Sequence, residues 1–174
     1  DAYVLAEKLR THAVDQSVFK APKEFAVLRE LARVHRMLVR DVVRVQARLK
    51  SIYRSRAIAT AGATVYGPRQ RQEWERRLPP ATRHTTSKLY AHYDWLLELK
   101  KQAESELIAE AKRHPIARVL QTAPGLGPIR VARLLPIVVT PHRFRTKRQF
   151  WSYCGLGIVM RSSSDWVRGR DGGW

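Results

Sequence analysis

A glycine-containing turn has the residue types and spacing of a phosphate-binding site. Residues 119–135 read as an apolar helix end, a Pro-Gly-Leu-Gly turn and a second apolar helix. Glycines permit a tight turn with exposed backbone, and N–H groups at a helix start can bind a phosphate oxygen. We expect a helix-hairpin-helix in which Gly125, Gly127, Arg130 and Arg133 hold a nucleic-acid backbone without reading its bases. The alternative is an ordinary helical turn with a glycine cap.

Uncompensated positive charge surrounds this turn. No Asp or Glu occurs between Glu110 and Asp165, whereas ten basic residues do: Lys112, Arg113, Arg118, Arg130, Arg133, Arg143, Arg145, Lys147, Arg148 and Arg161. Besides those of the turn, the residues that we expect to bind nucleic acid are Arg143, Arg145, Lys147 and Arg148. Aromatic residues are interleaved with them and could stack on unpaired bases. For Phe150 and Tyr153 we favour packing of a small C-terminal core.

A run of three serines could supply a nucleophilic hydroxyl. Ser162, Ser163 and Ser164 lie between Arg161 and Asp165. A serine nucleophile needs an activating partner, and no histidine stands at a spacing that suggests one. From the residues alone, such a run is more often a loop. The six histidines show no metal-ligand pattern.

The charge balance narrows the class of partner. The chain has 33 Lys and Arg against 15 Asp and Glu, a formal net charge of +18. Such a charge attracts polyanions, with nucleic acid first and an anionic membrane surface second. A hydrophobic content of 44% argues against full disorder, and no apolar run approaches the ~20 residues of a membrane span. The single cysteine, Cys154, cannot form an internal disulfide, as is typical of a reducing cytoplasm.

Helices must position these residues, and the apolar spacing predicts them. A short amphipathic helix is expected over 2–11, and a long helix over about 23–57 whose apolar positions step by three and four. That seam comprises Leu28, Leu31, His35, Leu38, Val42, Val45, Leu49 and Ile52, with His35 its one polar member. It is typical of a coiled coil. A stripe of arginines lies mainly on the opposite face: Arg29, Arg33, Arg36, Arg40 and Arg44.

A second long helix is expected over about 85–113, after a loop at 60–67 and a short helix at 68–78. Its seam is Leu89, Tyr93, Leu96, Ala103 and Leu107. The two long helices could form an antiparallel hairpin or could pair with another copy of the chain. The predicted fold class is therefore mainly α, a long helical (coiled-coil) hairpin followed by a small domain that contains the helix-hairpin-helix.

The C-terminal segments together resemble one family. Pro124-Gly-Leu-Gly-Pro, Ala132-Arg-Leu-Leu, Pro141-His-Arg-Phe-Arg and Gln149-Phe-Trp-Ser-Tyr-Cys-Gly-Leu resemble the C-terminal transposase domain of insertion sequences 110, 116 and 902. The Asp1-Ala-x-x-Leu-Ala-x-x-Leu-Arg opening resembles the end of that family's RuvC-like domain. The resemblance implies three parts: the end of a truncated RuvC-like domain at 1–20, a basic coiled coil at 21–114, and a truncated transposase domain at 115–174.

The resemblance also implies a function, that of a DEDD transposase which exchanges DNA strands. In that family four acidic residues bind a divalent metal such as Mg²⁺, and a serine is the nucleophile. Asp1 matches the last acidic position, although it also suits a helix N-cap. Ser163 aligns best with the nucleophile and Ser162 is next. The implied partners are DNA, in some members a structured guide RNA, and further copies of the chain through the coiled coil.

Two further expectations follow. One carboxylate cannot hold Mg²⁺ alone, so we expect this chain to be a fragment that is inactive by itself. The alternative function is a non-catalytic helix-hairpin-helix protein that binds nucleic acid or assists repair.

Overall fold

The described part of the chain is almost entirely helical. A computed structural model describes residues 2–13, 19 and 22–157. The α-helices are α1 Ala2–Arg10, α2 Ala26–Arg54, α3 Arg71–Arg76, α4 Pro80–Lys112, α5 Ile116–Gln121, α6 Pro128–Val138 and α7 Lys147–Tyr153. Short 3-10 helices are found at Lys23–Phe25, Thr64–Tyr66 and Pro141–Arg143. No strand occurs within these ranges, which confirms the predicted mainly α fold.

The chain divides into two compact units. The first is Asp1–Val139 and contains α1 to α6, and the second is Thr140–Trp174 and contains α7. Helices α5 and α6 pack on the long helices within the first unit. The three-part division drawn from composition and resemblance, with a boundary near residue 114, stays a prediction.

Helices α2 and α4 form an antiparallel hairpin within one chain. His35 Nε2 of α2 lies 3.2 Å from Glu104 Oε1 of α4, and the hydroxyl of Tyr53 lies 3.0 Å from that of Tyr90. Partner numbers fall along α4 as they rise along α2, which defines the antiparallel direction. Of the two arrangements that the sequence allowed, the structure therefore has the intrachain one.

The apolar seams predicted for the two helices form the contact between them. Leu28, His35, Val42, Val45 and Leu49 of α2 are buried, as are Tyr93, Leu96, Ala103 and Leu107 of α4. The remaining seam positions are partly buried: Leu31, Leu38, Ile52 and Leu89. Full burial of a leucine side chain contributes about 2–3 kcal/mol, so this seam is the main source of stability in the hairpin.

Each end of the hairpin has its own core. At the loop end, Tyr53 packs with Val65, Trp74 and Leu78. Helix α4 begins at Pro80 rather than near residue 85, because proline at the first helical position needs no N–H acceptor. At the other end, Pro115 separates α4 from α5. The short helices α5 and α6 pack over this end of the hairpin. The buried residues there are Phe25, Leu28, Leu107, Ala111, Ala117, Val131, Ala132 and Leu135.

One polar group interrupts the apolar seam. The His35 side chain is 3% exposed and contacts Glu104, which also pairs with Lys100 Nζ at 2.6 Å. The Lys100 ammonium, assisted by His35, holds the pKa of the Glu104 carboxyl below its ordinary value of 4.5. The ionised carboxylate therefore stabilises the fold above about pH 4.5, and this contribution is lost as the pH falls through the lower folded value.

We expect Glu104→Gln to flatten the pH dependence of the free energy of unfolding below pH 4.5. The variant has no carboxyl group at position 104 that could take up a proton when the chain unfolds in acid. Urea midpoints measured from pH 3 to pH 6 check this. Glu106→Gln, at an exposed position of the same helix, is the control and should keep the original pH dependence. Equal pH profiles for the two variants would contradict the role of Glu104.

We expect Leu49→Ala to lower the free energy of unfolding by about 2–5 kcal/mol, because it leaves a cavity in the α2–α4 contact. Leu49 is completely buried. The control is Val43→Ala on the same helix, where the side chain is 57% exposed and the expected change is below about 0.5 kcal/mol. Chemical denaturation followed by circular dichroism measures the free energy of unfolding of both variants. Similar losses in the two variants would show that Leu49 is not part of the buried α2–α4 contact.

Candidate nucleic-acid interface

The turn between α5 and α6 has the compact shape that the glycines predict. Gly125 has φ +80°, a conformation that disfavours side chains with a Cβ. Ala123 N donates to Leu120 O at 3.2 Å, and Leu126 N donates to Ala123 O at 3.1 Å. The backbone conformation at position 125 therefore favours glycine.

Gly127 is different, because the fold itself does not require a glycine there. Its φ of −70° and ψ of 168° are accessible to any residue, and it is the N-cap of α6. A Cβ built at this position would have no atom within 4 Å. A glycine at this position leaves the backbone at the start of α6 open to a ligand.

Backbone donors lie directly after Gly127. The first i→i−4 bond of α6 runs from Val131 N to Gly127 O at 3.0 Å. The N–H groups of Ile129 and Arg130 precede it and so have no acceptor inside the helix. The first turn of α6 contains no acidic residue. This end of the helix can therefore accept an anion, which the helix dipole also favours.

The two arginines of the turn occupy different environments. Arg130 Nη1 donates to Gly125 O at 2.7 Å, so this guanidinium supports the turn as well as adding charge to it. Arg133 is exposed. Roles for Gly125, Gly127, Arg130 and Arg133 in binding nucleic acid, and the helix-hairpin-helix assignment, stay predictions.

Arg133 also belongs to a groove that sequence reasoning missed. Packing of α6 on α2 brings it to the same groove as Arg29, Arg33 and Arg36, and we call this the arginine groove. Its volume is about 200 Å³. The sequence identified the stripe on α2 and the charge on α6 separately, but about a hundred residues lie between them. Only tertiary packing joins them.

The second unit holds an arginine among aromatic rings. The ring centroid of Phe144 lies 5.2 Å from those of Phe150 and Tyr153. Arg143 Cζ lies 4.6 Å from the Phe144 centroid and 4.5 Å from the Tyr153 centroid. Phe150 and Tyr153 thus contact Phe144, but Phe150 is only partly buried and Tyr153 is 50% exposed, so their expected role in a C-terminal core stays a prediction. Arg143 shares that packing, so any contact it makes with nucleic acid would compete with these rings.

The helix that follows is fixed at its start by side-chain caps. Thr146 Oγ1 accepts from Gln149 N at 3.2 Å, and Gln149 Oε1 accepts from Arg145 N at 2.9 Å. Thr146 and Gln149 therefore satisfy two donors near the start of α7, in a variant of the capping box. The predicted cations Arg145, Lys147 and Arg148 are all exposed. They give α7 a basic surface.

The residues assigned to catalysis are not part of this geometry. Asp1, Ser162 and Ser163 lie outside the described residues, and so does Arg161 of the basic segment. Within the described ranges, no group of three or more His, Cys, Asp or Glu side chains could hold a metal ion. In the same ranges, no helix is long and apolar enough to cross a membrane.

Comparison with known families identifies the C-terminal segment. Residues 117–172 match the family described as Transposase IS116/IS110/IS902 family. The match includes most of α5, the glycine turn, α6, α7 and the serine run, and it confirms the resemblance of the C-terminal segments. This segment, about a third of the chain, is therefore similar to that transposase family. The resemblance of the opening to a RuvC-like domain stays a prediction. Neither the curated proteins nor the solved structures contain a match.

We expect Gly127→Ala to weaken binding to duplex DNA about fivefold or more, a loss of about 1 kcal/mol, because the new methyl group would occupy the open space from which a phosphate approaches the start of α6. Fluorescence anisotropy with a labelled duplex measures the affinity. The melting temperature should change little, since the added Cβ meets no neighbour.

Gly125→Ala serves as the comparison, because it strains a left-handed backbone by about 1–2 kcal/mol. That variant should lower stability. Unchanged affinity in folded Gly127→Ala would show that the turn does not approach the nucleic acid.

Proposed function

We propose that this chain is part of an insertion-sequence transposase and supplies surfaces that hold DNA during strand exchange. The observation that carries the proposal is the family match over residues 117–172. The glycine turn supports it, because this turn combines an open backbone, helix-start donors without an acceptor in the helix, and a local excess of arginine. A net charge of +18 supports a polyanionic partner.

The proposed chemistry is attack by a serine on a phosphodiester. Ser163 Oγ, with Ser162 as the next choice, would form a bond to phosphorus while the bond from phosphorus to the leaving sugar oxygen breaks. The hydroxyl proton passes to a base, and the leaving oxygen receives a proton. Arginine side chains would stabilise the charge that develops on the phosphoryl oxygens.

A divalent metal belongs to the proposal only through the family. Mg²⁺ prefers several oxygen ligands, whereas the described residues offer no cluster of candidate ligands and Asp1 is one carboxylate. The described residues therefore do not supply a complete metal site. We expect no strand exchange from this chain alone, and we propose that it contributes DNA-binding surfaces and the attacking serine.

The partners proposed with DNA are a structured guide RNA and further copies of the chain. The apolar seam that suggested self-association is already occupied by the α2–α4 contact. Oligomers would therefore have to use another surface. The alternative function is the non-catalytic binding protein considered above. It would apply if the chain bound duplex DNA in a salt-dependent way but belonged to no active transposase.

We expect Ser163→Ala, made in the intact protein, to lower strand exchange by roughly 10³-fold or more, because the attacking oxygen is absent. Affinity for DNA should stay within about twofold, since the change removes no charge. A plasmid transposition assay and anisotropy give the two readouts.

Ser162→Ala and Ser164→Ala are the matched controls, and each should retain exchange. Loss of exchange in Ser162→Ala alone would move the nucleophile to that serine. Full exchange in all three variants would rule out a serine mechanism in this run.

A further inference from the structure

We propose that the arginine groove is a second binding site for the phosphodiester backbone, which extends from Arg133, beside the glycine turn, to the arginines of α2. The site consists of Arg29, Arg33 and Arg36 on α2 and Arg133 on α6. This inference rests on the proposed nucleic-acid function and adds a place of contact on the helical hairpin. The family match begins at residue 117, so it does not include the arginine stripe on α2. The inference assigns a role to that stripe.

The groove is built by the core beneath it. Val131 and Leu135 of α6 are buried in one cluster with Phe25 and Leu28, which lie at the start of α2. This contact fixes α6 against the first turns of α2. The arginines therefore take their places from a packed contact between two helices and not from a mobile loop.

Few carboxylates neutralise this cluster. Arg33 Nη1 pairs with Glu30 Oε2 at 3.2 Å, and both side chains are more than half exposed. Arg29, Arg36 and Arg133 have no carboxylate within 4.0 Å among the described residues. Like charges held close together cost free energy, and a bound polyanion would remove that cost.

Arginines that stabilise the fold of this chain look different. Arg71 donates through both Nη atoms to Asp94, at 2.5 and 2.6 Å. Arg83 Nε donates to Leu78 O at 3.0 Å. Comparable internal partners are missing for Arg29, Arg36 and Arg133 in the described ranges. Their guanidinium groups are therefore available to a ligand.

Phosphate is the ligand chemistry that this arrangement favours. A guanidinium presents a planar set of donors that matches two phosphate oxygens. The remaining lining residues are Ala32, Pro136 and Ile137, which offer no competing side-chain acceptor. Their apolar surface lowers the local dielectric constant, and so strengthens a charge–charge contact. The groove and the glycine turn both include residues of α6, so one helix would connect two backbone contacts.

The test compares two triple variants of the whole chain that remove the same charge. The groove variant is Arg29→Gln, Arg33→Gln and Arg36→Gln, which leaves Arg130 and Arg133 beside the glycine turn unchanged. The control is Arg48→Gln, Arg69→Gln and Arg76→Gln, which replaces exposed arginines that do not line the groove. Affinity for a labelled duplex DNA and for a folded RNA hairpin is measured from 50 to 300 mM salt, with melting temperatures to verify folding.

We expect the groove variant to lose roughly two orders of magnitude in affinity at 0.1 M salt, and the slope of log K against log salt to fall by about three. The control should lose much less. A larger loss with DNA than with RNA identifies DNA as the source of the phosphates, and the reverse identifies RNA.

Equal losses in the groove and control variants would overturn the proposal, because net charge alone would then explain them. Unchanged binding by the folded groove variant would overturn it as well, while the proposed function would stand. If the original chain shows no salt-dependent binding to either nucleic acid, the proposed function fails together with the groove.

Discussion

The apolar contact between α2 and α4 is the interaction on which the rest of the first unit depends. Leu28, Leu49 and Leu107 are completely buried along it, and their removal from water opposes the mutual repulsion of a chain with a net charge of +18. The contact also fixes which faces remain outside. Because the apolar seam is turned inward, the arginines of α2 are left on the surface, where their charge acts on solvent and partners.

The same contact supports α5 and α6, whose buried residues join Leu28 and Leu107 in one cluster. Two basic features that are far apart in the sequence thereby share a scaffold: the glycine turn and the arginine groove. Charge held in this way is energetically costly without a counterion. Binding a polyanion to the folded state would relieve that repulsion and stabilise the fold by mass action.

Much of the fold follows from the sequence, because apolar residues at steps of three and four specify a helix and its buried face. On this basis a helix is expected over about 23–57, where α2 covers Ala26–Arg54, and the seam of α4 is found as predicted. Periodicity does not say whether two such helices pair within a chain, and contacts such as His35 with Glu104 settle that. The turn at Gly125 could be read from its residues, whereas the arginine groove could not, because it depends on α6 packing against α2. The serine run lies outside the described residues and stays a prediction.

Amide hydrogen exchange at single-residue resolution, with and without saturating duplex DNA, tests the central claim most directly. We expect the N–H groups of Ile129 and Arg130 to exchange more slowly in the complex, because a phosphate oxygen replaces water as their acceptor. The N–H groups of Gln72 and Glu73 also precede the first bond of their helix, from Trp74 N to Gln70 O, and should not change. Unaltered exchange at Ile129 and Arg130 in a saturated complex would contradict the account.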